Sequence, residues 1–290
     1  MRPARDIMSF GEARIHLLAQ SARRNGVAMD RTGHILLLHH SEGERMRFVA
    51  DWFAAGLASE DKLFYVDVAG WGVEKLTDGL AARGLHVDFA LREKRLEFVS
   101  LEDMLDLGVR GGLCDRALVD EGFPGVRLAV RGDAVAQVLS RVEHLAVENE
   151  LEHLCREGRM SVLCQYDGRT TQGPDLARSL DLHPDWVYEA DLSLRRRERL
   201  IRVEGTIDTL DDEVLARSLD RMTLDLPTDE VLVLDLRNVQ ALTPSAGQAL
   251  MRGTRGFRDR GGRVRCGLPA GDSGRLLSSL AHTEAQFELA

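Results

Sequence analysis

One rhythm constrains this chain more than any other property: short unbroken apolar runs alternate with segments whose apolar residues recur at helical spacing. Ile35-Leu36-Leu37-Leu38 is such a run, short and continuous like a strand buried on both faces. Ser41 and Glu44 then form a capping-box signature, and Met46, Val49, Ala50, Phe53 and Leu57 fall on one helical stripe. A second strand is predicted from Leu63 to Val68, followed by a helix carrying Val73, Leu76 and Leu80 that closes at Gly84. Leu96 to Val99 and Val126 to Val130 read as further strands. A long helix is predicted from Ala134 to Arg156, stopping before Gly158, and Ser161 to Gln165 reads as the fifth strand. Strands alternating with amphipathic helices imply a doubly wound, mostly parallel sheet whose ligand crevice lies at the carboxyl ends of the strands. The strand ends carry His39 and His40, Asp67 to Trp71, Ser100 to Asp103, Arg131 to Asp133, and Tyr166-Asp167. From these, His39, His40, Asp67, Arg131, Tyr166 and Asp167 are the candidate ligand residues.

Residues 168–190 interrupt the pattern with Gly168, Gly173-Pro174 and His183-Pro184 around a short helical piece, Leu176 to Leu182. The domain boundary is placed after them, near Glu189. A second rhythm then begins with strand Leu200 to Glu204, a turn at Gly205, and a helix from Asp211 to Met222. Strand Val231 to Leu236, helix Thr243 to Phe257, strand Arg263 to Gly267, helix Ser273 to Ala281 and strand Gln286 to Leu289 complete it. Three parts result: an N-terminal extension, 1–31, with a helix-like stretch from Phe10 to Ala22; an α/β domain, 32–189; and a smaller α/β domain, 190–290. A length of 290 residues agrees with two domains.

Bulk properties narrow the function classes. A formal charge of −9 opposes a phosphate backbone, and no helix-turn-helix or zinc module can be read, so direct nucleic-acid binding is not expected. No apolar run approaches the roughly 18 residues needed to cross a bilayer. Met1 is followed by charged residues rather than an apolar leader, and Cys114, Cys155, Cys164 and Cys266 have no CxxC spacing, which together suggest a cytoplasmic protein with reduced thiols.

Individual residues carry competing readings. After the first strand stands His39-His40-Ser41-Glu42-Gly43-Glu44, where a nucleotide-binding relative would need Gly-x-x-x-x-Gly-Lys-Ser/Thr; neither ATP hydrolysis nor another enzymatic activity is expected, and no cofactor. His34 and His40 share a strand face while His39 points the other way, so capping or packing is favoured over a metal site. Cys164, flanked by apolar residues, reads as a small core residue. Glu148, Glu150 and Glu152 read as a solvated helix face, and Arg195-Arg196-Arg197 as a linker between domains. Thr243 is a good N-cap and Pro244 suits the first helical position, which places Ser245 in the first turn. That arrangement is either an ordinary helix start or a surface switch, since phosphate at a helix N-terminus is tolerated and adds about −1.5 to −2 of charge.

Two resemblances add to this reading. Gly205-Thr206-Ile207-Asp208, the strand Leu232-Val-Leu-Asp235-Leu and the helix opening Pro244-Ser245-Ala246-Gly247 together resemble the STAS family of sulfate transporters and anti-sigma-factor antagonists, over residues 190–290. In that family the serine at the position of Ser245 is phosphorylated by a kinase-like anti-sigma factor. Pro244 stands where the family carries an acidic residue, and Ala246 where it carries a second serine. The resemblance implies a switch at Ser245, with Thr243 as a second acceptor hydroxyl, and a partner surface of Asp208, Thr243, Pro244, Ser245 and Gly247. Over residues 30–189, His34, the Ser41/Glu44 cap, Leu163-Cys164-Gln165-Tyr166-Asp167 and His183-Pro184 resemble the MEDS domain, a RecA/KaiC-like sheet without a phosphate loop. That likeness implies sensing of a small molecule.

The combined expectation is a signalling regulator, not an enzyme, in which a small-molecule sensory domain biases an anti-sigma-factor antagonist whose partner is an anti-sigma kinase. The alternative is a ligand-binding scaffold that is never phosphorylated and assembles with other STAS proteins. Homo-oligomerisation stays open in both.

Overall fold

A computed structural model describes residues 33–68, 72–108, 111–189, 192–207, 212–281 and 287–289. The stretch from Phe10 to Ala22, the end of the Asp67 to Trp71 stretch, and Asp208 lie outside the described residues. The architecture is mixed α/β with mostly parallel strand pairing. It divides into two compact units, one of Met1–Gly33 and His40–Gln165, the other of His34–His39 and Tyr166–Ala290.

In the first unit, helix α1 (Glu42–Ala58) leads to β2 (Lys62–Asp67), α2 (Gly72–Ala82), α3 (Asp88–Arg92) and β3 (Leu96–Ser100). Two short helices, α4 (Leu101–Asp103) and α5 (Gly112–Asp115), each continue into a π-helical turn, Met104–Gly108 and Arg116–Asp120. β4 (Val126–Arg131), α6 (Gly132–Val138), α7 (Arg141–Arg156) and β5 (Ser161–Asp167) complete it. The strands lie in the order β5-β4-β2-β3, all parallel. Connections run outward to β3 and then, from β4, in the opposite direction to β5, so the topological switch lies between β2 and β4. Both faces are covered, as the unbroken apolar runs demand: Leu63, Phe64, Leu128, Ala129, Val162 and Leu163 are buried, and α1 adds Trp52 and Phe53. Each of the buried Leu, Val and Phe side chains contributes about 1.5–3 kcal/mol. The same core encloses an ion pair, Arg127 Nε to Asp61 Oδ2 at 2.8 Å, with the guanidinium 4.5 Å from the Trp52 ring centroid.

Two expectations are corrected in this unit. The helix from Ala134 to Arg156 is two helices, because Leu139 is extended and Ser140 opens a complete capping box: Glu143 N donates to Ser140 Oγ at 3.3 Å and Ser140 N to Glu143 Oε2 at 2.8 Å. Glu148 is not on a solvated face. It is buried on α7 with its carboxylate 3.1 Å from His144 Nε2, and the Cys164 thiol points at its other oxygen from 3.7 Å.

The second unit contains β1 (Gly33–His39), α8 (Gly173–Leu182), β6 (Trp186–Glu189), β7 (Leu192–Arg197) and β8 (Leu200–Ile207). After these come α9 (Asp212–Thr223), β9 (Val231–Leu242), α10 (Pro244–Gly253), α11 (Arg255–Asp259), β10 (Arg263–Gly267), α12 (Asp272–Ala281) and β11 (Phe287–Leu289). Its strand order is β11-β10-β9-β8-β7-β6-β1, antiparallel only where β7 meets β6 and β8.

Here the corrections are larger. Arg195-Arg196-Arg197 is strand, not linker, and Arg196 bonds Asp185 Oδ1 at 2.7 Å, Asp225 Oδ1 at 2.5 Å and Met222 O at 2.8 Å. Gly205 makes no turn. It takes φ 99° inside β8, where the register with β9 shifts, and a β-bulge of this kind exploits the left-handed freedom of glycine. β9 runs on to Leu242 instead of ending at Leu236. The helix expected to reach Phe257 is interrupted at Thr254, whose hydroxyl bonds Leu250 O at 2.9 Å, a back-bond that bends helices.

Candidate functional site

The strand ends of the first unit form an aligned row, with Asp67 opposite Ser100 and Arg131 opposite Gln165. A pocket of about 500 Å³ opens beyond the ends of β2 and β3 and against the end of α6, lined by Asp67, Val68, Leu101, Glu102, Leu105, Asp106, Val138 and Leu139. It lies beyond the carboxyl ends of parallel strands, the side on which ligands bind in such a sheet, and its volume suits a small molecule. Its wall combines five apolar side chains with three carboxylates. Asp67 was readable from sequence as a strand end, and Leu101 and Glu102 lie in the stretch that follows β3. Leu105 and Asp106 lie in a π-helical turn for which no period was legible, and Val138 and Leu139 sit at the break concealed inside the expected long helix.

Arg131 is not among the pocket residues. Its Nη2 pairs with Asp133 at 3.0 Å, and Asp133 also accepts from Ala134 N. Arg45, which sequence reading missed, is buried beneath the strand ends. It forks onto Glu42 at 2.6 and 2.9 Å and donates to Gln165 Oε1 at 2.7 Å and Tyr65 Oη at 3.2 Å, while Gln165 Nε2 donates to Val130 O at 3.2 Å. Burial opposes the guanidinium charge, but Glu42 and Tyr65 outweigh it and hold the pKa above its ordinary value. Burial likewise pushes the Tyr65 hydroxyl up. The start of α1 is filled by its own side chains: Ser41 Oγ accepts from Glu44 N at 3.2 Å, and Glu44 accepts from His40 N at 2.9 Å.

In the second unit, His39 and Asp167 come together. Gly168 N donates to His39 O at 2.8 Å, and Asp167 accepts from Arg169 N and Nε, each at 2.9 Å. The bond from Arg169 is the main reason the Asp167 carboxyl is held down at about 2, and the nearby His39 imidazole adds to it. Tyr166 is buried edge-on to the His183 ring, 5.9 Å between centroids, and His183 in turn packs on His34 at 4.2 Å with its Nδ1 2.7 Å from Ser179 O. Packing thus accounts for His34 and Tyr166, while His40 is exposed.

The start of α10 has the geometry expected of it. Thr243 Oγ1 accepts from Ala246 N at 3.2 Å, Pro244 occupies the first turn, and Ser245 Oγ lies 3.1 Å from Thr243 Oγ1. Pro244 is exposed and Ser245 half-buried, whereas Gly247 is buried with its N–H on Thr243 O at 3.0 Å. No acidic residue stands in this first turn. Before it, Asp235 in β9 is held below the usual carboxylate range, chiefly by Arg237.

Comparison with known proteins gives one family. Residues 33–184 match the model of the MEDS domain, the methanogen/methylotroph DcmR sensory domain. No curated protein matches the chain. Similar solved structures include a KaiC-like protein from Pyrococcus horikoshii OT3, 13% identical over 60% of this chain and 79% of that one, with a TM-score of 0.43. The flagellar accessory protein FlaH from Methanocaldococcus jannaschii is 9% identical over 63% and 83%, at a TM-score of 0.43. An uncharacterized Pyrococcus horikoshii protein, in complex with an unknown peptide, is 14% identical over 63% and 86%, at a TM-score of 0.44.

Proposed function

This chain belongs to the MEDS family, and from that premise we propose that it is a signalling regulator whose sensory part reads a small molecule and whose C-terminal part passes the result to a protein partner. The C-terminal part acts as a STAS-type anti-sigma-factor antagonist, binding an anti-sigma kinase and releasing a sigma factor in consequence. The observation that carries this reading is the start of α10, where Thr243 caps the helix and Ser245 lies beside it in a first turn free of acidic residues. A phosphate added there meets the positive end of the helix, while the surface a partner would touch changes sign. The sensory half is supported by the pocket beyond the ends of β2 and β3, which has the volume of a small-molecule site. The chain does no chemistry of its own: the first turn of α1, where a nucleotide-binding relative presents free amides and a lysine, carries Glu42 and Glu44. The test is the affinity of the purified protein for an anti-sigma kinase. Ser245→Glu is expected to weaken it about tenfold or more, as a misplaced charge at an interface does, and Ser245→Ala to preserve it. Equal binding by the Ser245→Glu protein would sink the phosphoswitch.

A second reading is favoured by Pro244. It places a ring with no backbone N–H where a kinase would meet an acidic residue in STAS relatives, and it is exposed. On this reading the C-terminal part is a scaffold that assembles with other STAS proteins without modification. Mass spectrometry after incubation with candidate kinases and ATP separates the two, since phosphate on Ser245 excludes the scaffold.

A further inference from the structure

In the second unit, β8, β9, β10 and β11 pair in parallel, yet among the described residues packing covers one face only. Ile201 and Val203 of β8, Leu232, Leu234 and Leu236 of β9, and Val264 and Cys266 of β10 are buried, and the alternating residues point the other way. Register sets those residues in rows. Arg195 stands beside Arg202, and Arg202 beside Asp235; in the next row Val233 stands beside Arg265, and Arg265 beside Glu288. Arg202, Arg237, Arg263 and Arg265 are between 48% and 71% exposed. Parallel sheets otherwise occur with both faces covered, generally by helices. A bare parallel face therefore calls for a cover, and its polar alternation says that the cover is polar.

The sign of that cover follows from the charges. Six arginines, at 195, 197, 202, 237, 263 and 265, share this face with Glu204, Asp235 and Glu288, in a chain whose net charge is −9. The carboxylates hold guanidinium groups in place: Arg237 forks onto Asp235 at 2.8 and 2.9 Å, and Arg263 and Arg265 reach the two oxygens of Glu288 at 3.2 and 3.3 Å. The residues ahead of Gly33 are the wrong cover, with six arginines against three acidic residues. Strands β7 to β10 contain no aromatic residue on which a nucleic-acid base could stack, and Val233 offers an exposed apolar spot near the middle.

We infer that this face docks an acidic amphipathic helix of a partner protein, its carboxylates meeting Arg202, Arg237, Arg263 and Arg265 and an apolar side chain covering Val233. The inference is independent of any event at Ser245. It is tested by fluorescence anisotropy of the full chain with a labelled Glu/Leu/Ala helical peptide about 18 residues long, roughly 27 Å. Expected are saturable binding, about tenfold weakening by Arg202→Glu with Arg265→Glu, and a comparable loss at high salt. Arg202→Gln with Arg265→Gln, checked for an unchanged thermal melt, keeps the test valid if charge reversal prevents folding. Binding that ignores both double variants overturns the inference. So does tighter binding of a single-stranded oligonucleotide of equal charge, or sedimentation showing that these substitutions dissolve a complex between copies of the chain.

Discussion

β2, β4 and β5 bury almost every side chain along their length, whereas β8 and β10, and β9 over its first half, bury them largely in alternation, although both sets pair in parallel. Parallel backbone pairing is therefore compatible with two kinds of surface, and the side-chain pattern determines which faces receive a layer of helices. In the first unit even charged groups are drawn inside, Arg127 onto Asp61 and Lys62 onto Glu97 and Glu121. On the open face of the second, Arg202, Arg237, Arg263 and Arg265 stay largely in solvent, and Asp235 and Glu288 hold them from the sheet surface.

The largest effect that could break this contrast is the loss of a charge from each region. Arg127→Ala leaves Asp61 buried without its partner and should cost about 3–5 kcal/mol in urea unfolding, while Arg265→Ala should change stability by no more than about 0.5 kcal/mol. Similar losses from both would mean that the open face is not a solvated one. A finer comparison uses one substitution on the two faces of a single sheet. Val203→Thr buries a hydroxyl and should cost about 1–3 kcal/mol, whereas Val233→Thr should lie within about 0.5 kcal/mol of the parent; equal values would contradict the assignment of faces.

The smallest effect is a titration. Asp167 and Asp235 each hold an arginine two residues on, at Arg169 and Arg237. Because the Asp167 carboxyl is held at about 2 in the folded chain and ionises near 3.9 when unfolded, its stabilisation is full above that value and is lost as pH falls from about 4 toward 2. Arg169→Ala should raise the Asp167 pKa toward the unfolded value in a carbon-detected NMR titration, and Arg237→Ala should move Asp235 in the same direction. A carboxyl that stays put would show that its arginine is not what holds it down.

Much of the first unit was legible because each of its strands is a continuous apolar run and needs no knowledge of its neighbours. Other features were legible and overlooked. Ser140-x-x-Glu143 repeats the signature of Ser41-x-x-Glu44, and Glu148 falls at helical spacing with His144, Val147, Leu151 and Cys155, so its residue type obscured a period that already placed it inside. The remainder depends on distant partners. β6 has four residues, and β7 ends in three arginines; neither reads as a strand until β1, some 150 positions earlier in the chain, is seen to supply an edge. Arg45 is the same case at the candidate site, since its burial rests on Tyr65 and Gln165, which no local pattern connects to it. At α10 the cap and the proline were local signals, and Thr243 and Ser245 stand where those signals put them.

The pairing of β6 with β1 also bears on how the molecule can be dissected. Residues 33–184 carry the family likeness, which invites a cut after Pro184 to free a sensory half. That cut would strip Leu36, Leu37 and Leu38 of the backbone neighbours Val187, Tyr188 and Glu189 and leave an apolar strand with an open edge, a template for aggregation. A clean excision would carry β6 with it, and since β6 is also hydrogen-bonded to β7, a cut between those two strands would in turn open an edge on each.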